Sequence, residues 1–231
     1  MSVTLPPLDA AAILKRHGLR PDKSLGQNFL QDIQALEQIV MAAEIKPSDS
    51  VLEIGPGSGS LTRYLALSAS KVVAVELDPR LLPPLATVLA PYSNVRIIQG
   101  DILKFSPNEV IAERDYVVIA NIPYYITSAV IRKLLDSQNK PRRIVLTIQK
   151  EVAERICAEP GDLSLLALSV QIHGKPQITA HIPAQAFFPA PKVDSAVLRV
   201  DIFPAPRIDP KHMDNFFKLL KAGFGQKRKT L

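Results

Sequence analysis

Short apolar runs recur along the chain at intervals filled by helical spacing. Val51-Leu-Glu-Ile54, Lys71–Glu76, Asn94–Gln99, Asp115–Ala120 and Arg143–Ile148 each read as a buried strand ending in a glycine, acid or amide. Between and around them, the pattern predicts helices over 8–20 (ended by Gly18), 32–43, 77–90, 127–135, 150–158 and 163–173. In the second, Ile33, Leu36, Ile39 and Val40 share a face; Thr127 or Ser128 is placed to cap the helix through Leu135. Two later strands are expected around 177–182 and 195–202. Strands alternating with helices at this interval predict an α/β fold with a doubly wound, parallel sheet.

Two stretches break the rhythm. Pro21–Leu30 reads as a loop from its proline, glycine and asparagine content, and Phe187–Asp194 as the loop between the two later strands. Pro204–Pro210 reads as a linker before a final basic helix. The organisation expected is a catalytic domain over 1–205, including a basic N-terminal segment, and the start of a basic helical region over 206–231. At 231 residues and 47% hydrophobic, the chain can fill one such core.

Composition narrows the chemistry. The single cysteine, Cys157, excludes an intramolecular disulfide and suits a reducing compartment. His17, His173, His181 and His212 lack ligand spacing, so no metal site is expected. The first residues lack the pattern of a secretory signal, and no apolar run approaches the ~18 residues that span a bilayer. A soluble, cytoplasmic protein is expected. The net charge of +6 favours a polyanionic partner without establishing one.

The most specific stretch is Glu53-Ile-Gly-Pro-Gly-Ser-Gly59, a strand end turning into a helix. Glycines let a ligand approach the backbone and permit positive φ. A dinucleotide turn runs G-x-G-x-x-G, yet Ser60 stands where its third glycine belongs. Glu53 ahead of the turn suits a cation better than a pyrophosphate. S-adenosylmethionine, with its sulfonium and ammonium, fits this pattern; a dinucleotide for hydride transfer and a bare structural turn are the alternatives. Glu76, about 20 residues on, stands where a ribose diol would be gripped.

In open α/β sheets ligands sit beyond the carboxyl ends of the strands. Gly55, Glu76, Asp101 and Asn121 all fall there. Gly55 would face the amino-acid part of an adenosyl ligand, Glu76 its ribose and Asp101 its adenine, although an acid in that position can equally form a turn. Asn121-Ile-Pro-Tyr124 carries a different chemistry. A purine amine is a weak nucleophile because its lone pair is delocalised. The Asn121 side-chain oxygen and the Ile122 carbonyl could accept its two hydrogens and free that pair. Pro123 would fix the turn, and Tyr124 offers a stacking face worth ~1–3 kcal/mol.

With these residues in view, the chain resembles the ribosomal RNA adenine dimethyltransferase family, and within it the small-subunit (16S) branch. The motifs are Ser24–Leu30, Glu53–Gly59, Val75–Pro79, Gly100-Asp101, Asn121–Tyr125, Gln149–Arg155, Phe187–Ser195 and Gln226–Thr230, in family order over nearly the whole chain. The resemblance implies a Rossmann-like class I S-adenosylmethionine-dependent methyltransferase with a mostly parallel, seven-stranded sheet. It implies donor contacts from Asn28, Leu30, Gly55, Glu76, Asp101 and Asn121. A target-adenine pocket is implied at Asn121, Tyr124 and Phe187, although Phe187 and Phe188 by themselves read as core. The implied partner is 16S ribosomal RNA in a small-subunit precursor, with the protein acting as a monomer in ribosome biogenesis. Lys15, Arg16, Arg20 and Lys23, with Lys227, Arg228 and Lys229, are candidate phosphate contacts. The large-subunit (23S) enzymes of macrolide resistance share the Gln-Asn-Phe and Asn-Ile-Pro-Tyr elements, and a non-catalytic assembly factor is a further alternative. Family members continue past the Gln-Lys-Arg-Lys-Thr segment into a helical domain, so a shortened form of a longer protein is expected.

Overall fold

In the computed structural model, residues 5–224 are described. The chain begins with α1 (Ala10–Arg16), shorter than the periodicity predicts because Asp9 caps it at Ala12 N–H and Gly18 turns left-handed behind it. A strand of two residues, β1 (Phe29–Leu30), follows, then α2 (Ile33–Ala43) and β2 (Ser50–Ile54). The glycine turn leads into α3 (Ser60–Ser68), β3 (Lys71–Glu76), α4 (Leu82–Leu89) and β4 (Val95–Gln99). Next come α5 (Pro107–Val110), β5 (Val117–Asn121), α6 (Thr127–Asp136) and β6 (Arg143–Gln149). Then follow α7 (Lys150–Ile156), α8 (Leu165–Gln171), β7 (Gly174–Ile182), β8 (Phe187–Phe188), β9 (Ser195–Ile202) and α9 (Met213–Phe224).

Seven strands form one sheet in the order β4-β3-β2-β5-β6-β9-β7. The first five are parallel, and β9 and β7 close the edge antiparallel. The mostly parallel sheet matches the expected architecture. Its apolar runs have the physical cause proposed: both faces are covered. Along β2, Val51 enters the core beneath α2 and α3, while Leu52 and Ile54 enter the core on the other side with α6. Leu52, Val118, Ile119 and Leu146 are fully buried, each worth about 1.5–3 kcal/mol in apolar transfer.

Three details differ from the sequence reading. The two expected loops pair with each other: Phe29 lies opposite Phe188 and Leu30 opposite Phe187 in a separate antiparallel ribbon. Two residues per strand are too few for alternation to register. At α6, neither Thr127 nor Ser128 caps; Ile126 is the cap residue, because the helix continues from a 3-10 turn over Tyr124–Ile126 and already includes Thr127. β7 starts at Gly174 rather than 177, where the close approach of Asp201 O to Gly174 leaves no room for a Cβ. The final helix, α9, has no buried residue and leans on α8.

Candidate active site

Strand alternation puts Glu53, Asn121, Thr147 and Ser195 on one face of the sheet, the face that packs α2 and the N-terminal segment. Near the carboxyl ends the apolar side chains on this face give way to polar ones. A cleft of about 1060 Å³, its open mouth included, lies there. Gly55, Glu76 and Asp101 border it from the ends of β2, β3 and β4; Asn121, Ile122 and Tyr124 from β5; Asn28 and Leu30 from the N-terminal segment; and Phe187 from β8. The residues expected to contact the donor and the target base therefore border one cleft, whereas the candidate phosphate contacts do not line it.

The glycine turn forms one wall. Gly57 has φ +57°, and a Cβ there would stand 3.0 Å from the Phe29 ring. Its N–H donates to Glu76 Oε2 at 3.0 Å. Gly59, at φ +86°, opens α3, and a Cβ there would press on Leu85 and Val88 at 3.1 Å. Only glycine permits both the backbone conformation and this approach.

Two carboxyls lie behind the turn. Glu76 Oε1 accepts from Asp78 N–H at 2.8 Å, so both oxygens of Glu76 are oriented by backbone donors. Burial raises its pKa, against the pull of those hydrogen bonds. Glu53 is 1% exposed, and its Oε2 has no partner among the described residues. Burial, reinforced by the Glu76 carboxyl, pushes its pKa up to about 8. A buried acid lacking a partner gains most from a cation brought to it. Asp101 contributes Oδ1 to a turn, accepting from Leu103 N–H at 2.9 Å, which is the bland role that sequence alone allowed.

A strap formed by residues 22–30 makes the lid of this wall. Gln27 donates from Nε2 to Asp78 Oδ2 at 2.8 Å and accepts from Asp22 N–H at 2.8 Å. Arg80 bridges Asp22 and Asp78 at 2.8 and 2.7 Å. The Arg80 hydrogen bonds hold the Asp78 carboxyl below its usual range, and those from Ser24, with Arg80 behind them, do the same for Asp22. Sequence reading missed this latch. Gln27 and Asp78 both lie inside quoted motifs, but 51 positions separate them and nothing local pairs them.

On the acceptor side, Asn121 Nδ2 donates to Asn28 O at 3.0 Å. The amide nitrogen is therefore turned toward the strap, and Oδ1 is left as the group that can accept. Asn28 is itself fixed through Nδ2 to Gly26 O at 3.1 Å. Pro123, at φ −55°, presents the turn, and its carbonyl accepts from Ile126 N–H at 3.2 Å. Tyr124 is half-buried, and its hydroxyl lies 2.9 Å from Ser195 Oγ. Phe187 is 5% exposed: it packs in the core with Leu30 and still borders the cleft. Ser195 closes the Phe187–Ser195 motif, and sequence alone assigns it no role.

A conserved-domain model for ribosomal RNA adenine dimethylase matches residues 18–231. The chain belongs to the ribosomal RNA adenine dimethylase family. It is 45% identical to the ribosomal RNA small subunit methyltransferase A of Dehalococcoides mccartyi, over 96% of this chain and 77% of that protein. It is 46% identical to the protein of the same name from Geobacillus kaustophilus, over 95% and 77%. Among solved structures, a dimethyladenosine transferase from Plasmodium falciparum is similar with a TM-score of 0.78 at 34% identity, over 88% of this chain and 73% of that one. The 23S rRNA methyltransferase ErmE is similar with a TM-score of 0.77 at 28% identity, over 88% and 81%. The fold is that of the class I methyltransferases. Among the described residues no helix is long and apolar enough to cross a membrane. The exposed basic residues Lys15, Arg16, Arg20 and Lys23 lie on α1 and the segment after it. Lys227, Arg228 and Lys229, with the Gln226–Thr230 motif, lie outside the described residues.

Proposed function

We propose that this dimethylase-family protein transfers methyl groups from S-adenosylmethionine to the exocyclic 6-amino group of adenosines in 16S ribosomal RNA, twice per base, during small-subunit assembly. The observation that carries this reading is the bond of Asn121: its nitrogen is committed to Asn28 O, which leaves its oxygen to accept, and the residue lines a cleft that also holds the glycine turn.

The residues present fit a sulfonium donor. The partnerless buried oxygen of Glu53, beside the glycine turn on the cleft, suits a cationic amino-acid portion. Glu76 would hold ribose hydroxyls, Asp101 an adenine edge, and Asn28, Leu30 and Gly55 the rest of the donor's surface. When bound, the donor supplies an electrophilic methyl group. Asn121 Oδ1 and the Ile122 carbonyl accept the two amine hydrogens, localising the lone pair on nitrogen. Tyr124 and Phe187 hold the extruded base by its faces. No general base is required before attack, since the proton leaves readily once the nitrogen is cationic. The rate then comes from positioning and electrostatics.

The two small-subunit relatives, at 45% and 46% identity against 28% for ErmE, favour 16S over 23S RNA as the substrate. Residues 1–205 are the catalytic unit in this reading, and the basic region from 206 on, which includes α9, lies outside it. RNA phosphates would be met by Lys15, Arg16, Arg20 and Lys23, and affinity should fall steeply with salt. Labelled methyl transfer to immature small subunits, followed by nucleoside analysis, tests the reading. Dimethyladenosine in 16S RNA is expected. Methylation confined to large-subunit RNA, or none, would overturn it.

A further inference from the structure

Ser195 is 0% exposed, although it carries a hydroxyl. It opens β9, paired with Gln149 of β6 on one side and Ile182 of β7 on the other, so its backbone is locked in the sheet. A buried hydroxyl needs a partner, or it costs about 1–3 kcal/mol. Its recorded partner is the Tyr124 hydroxyl, 2.9 Å away and 71 positions distant in sequence.

Tyr124 is thereby held at both ends. Its Cα sits in the 3-10 turn closed by Ile126 N–H on Pro123 O, and its hydroxyl is tied to the sheet. With the backbone anchor alone, a ring can move between χ1 wells; a second anchor leaves one orientation. Burial raises the phenol's pKa, so the hydroxyl stays protonated through the neutral range.

The same point anchors the opposite wall. Asp194, the neighbour of Ser195, accepts from Ala184 N–H through Oδ1 at 2.9 Å and from Lys150 N–H through its carbonyl at 3.1 Å. The segment that carries Phe187 thus closes onto the residue next to the Tyr124 anchor. We propose that Ser195 is a positioning residue for methyl transfer: its hydroxyl pins the far end of the Tyr124 side chain and holds it in one χ1 well, keeping the two aromatic walls of the base pocket in register. This rests on the adenine-methylating reading above.

The test is a double-mutant cycle on the full chain with immature small subunits as substrate. It uses Ser195→Ala, Tyr124→Phe and their combination, with kcat measured alongside donor affinity by calorimetry. Each single change is expected to lower kcat about fivefold with donor Kd within about twofold, and the double change to be no worse than either. A merely structural serine would instead lower thermal stability and donor affinity together. Unchanged kcat in Ser195→Ala, or single losses that multiply to about 25-fold in the double variant, would overturn the proposal. Should Ser195→Ala not fold, Ser195→Cys takes its place in the cycle and must show the same non-additivity. A wild-type protein that transfers no methyl counts against the methyltransferase reading, whereas additive losses in an active protein count against Ser195 alone.

Discussion

On the donor side of the cleft, the walls come from consecutive strands, β2, β3 and β4, and much of what they present is backbone: the turn at Gly55–Gly59 and the N–H groups of Gly57 and Asp78 on Glu76. On the acceptor side, the decisive contacts are between side chains or between side chain and backbone, and they bridge long separations. Asn121 reaches Asn28 across 93 positions, and Tyr124 reaches Ser195 across 71. The donor half is thus set mainly by chain geometry in a parallel sheet, with the strap latched against it through Gln27 and Asp78. The acceptor half exists only after the N-terminal strap and the antiparallel edge have docked. Damage on the donor side should therefore appear in donor affinity, and damage on the acceptor side in turnover.

The largest effect expected is at Asn121. Asn121→Ala should lower methyl transfer by about 10²–10³-fold, the scale of losing one aimed electrostatic contact. Donor affinity by calorimetry should stay within severalfold. Equal losses in both would move Asn121 to the donor side and erase the division. Gly57→Ala is the reciprocal case. At φ +57° and 3.0 Å from Phe29, the added methyl should weaken donor binding about tenfold through backbone strain, while kcat at saturating donor stays near wild type.

Glu53 sharpens the comparison through pH. Burial lifts its pKa from an ordinary 4.5 to about 8. Between those values the unfolded chain binds fewer protons than the folded one, so stability of the ligand-free protein falls as pH rises from about 4.5 and levels off above about 8. Thermal melts from pH 5 to pH 9 should show that slope, and Glu53→Gln should reduce it, leaving the part contributed by Glu76, whose pKa burial also raises. A cationic donor favours the carboxylate, so donor affinity should increase toward pH 8 more steeply in the wild type than in Glu53→Gln. A wild-type affinity with no pH dependence would remove Glu53 from the donor site. The smallest effect belongs to the latch. Gln27→Ala removes the hydrogen bonds to Asp78 and from Asp22 N–H, each worth about 1 kcal/mol, and should raise donor Kd several-fold without changing kcat.

Legibility in the sequence divides along the same line. The parallel strands announce themselves because burial on both faces demands unbroken apolar runs such as Val72–Val75. Gly57 and Glu76 are readable because a tight turn and a strand end leave few other residue types. What stayed hidden lacks any local signature. Phe29-Leu30 and Phe187-Phe188 form a ribbon too short for alternation. Ser195 resembles any polar strand residue until Tyr124 is brought to it. Asn121 was legible as an amide at a strand end, but which of its atoms would face the cleft depended on Asn28 O.

That orientation is the centre of the account, and it can be observed directly. A crystal structure with the demethylated donor product and adenosine should place the adenine amino nitrogen about 2.6–3.2 Å from Asn121 Oδ1, with Nδ2 still on Asn28 O. An adenine whose amine points away from Asn121, or an Asn121 that leaves Asn28 and turns its nitrogen to the base, would contradict it.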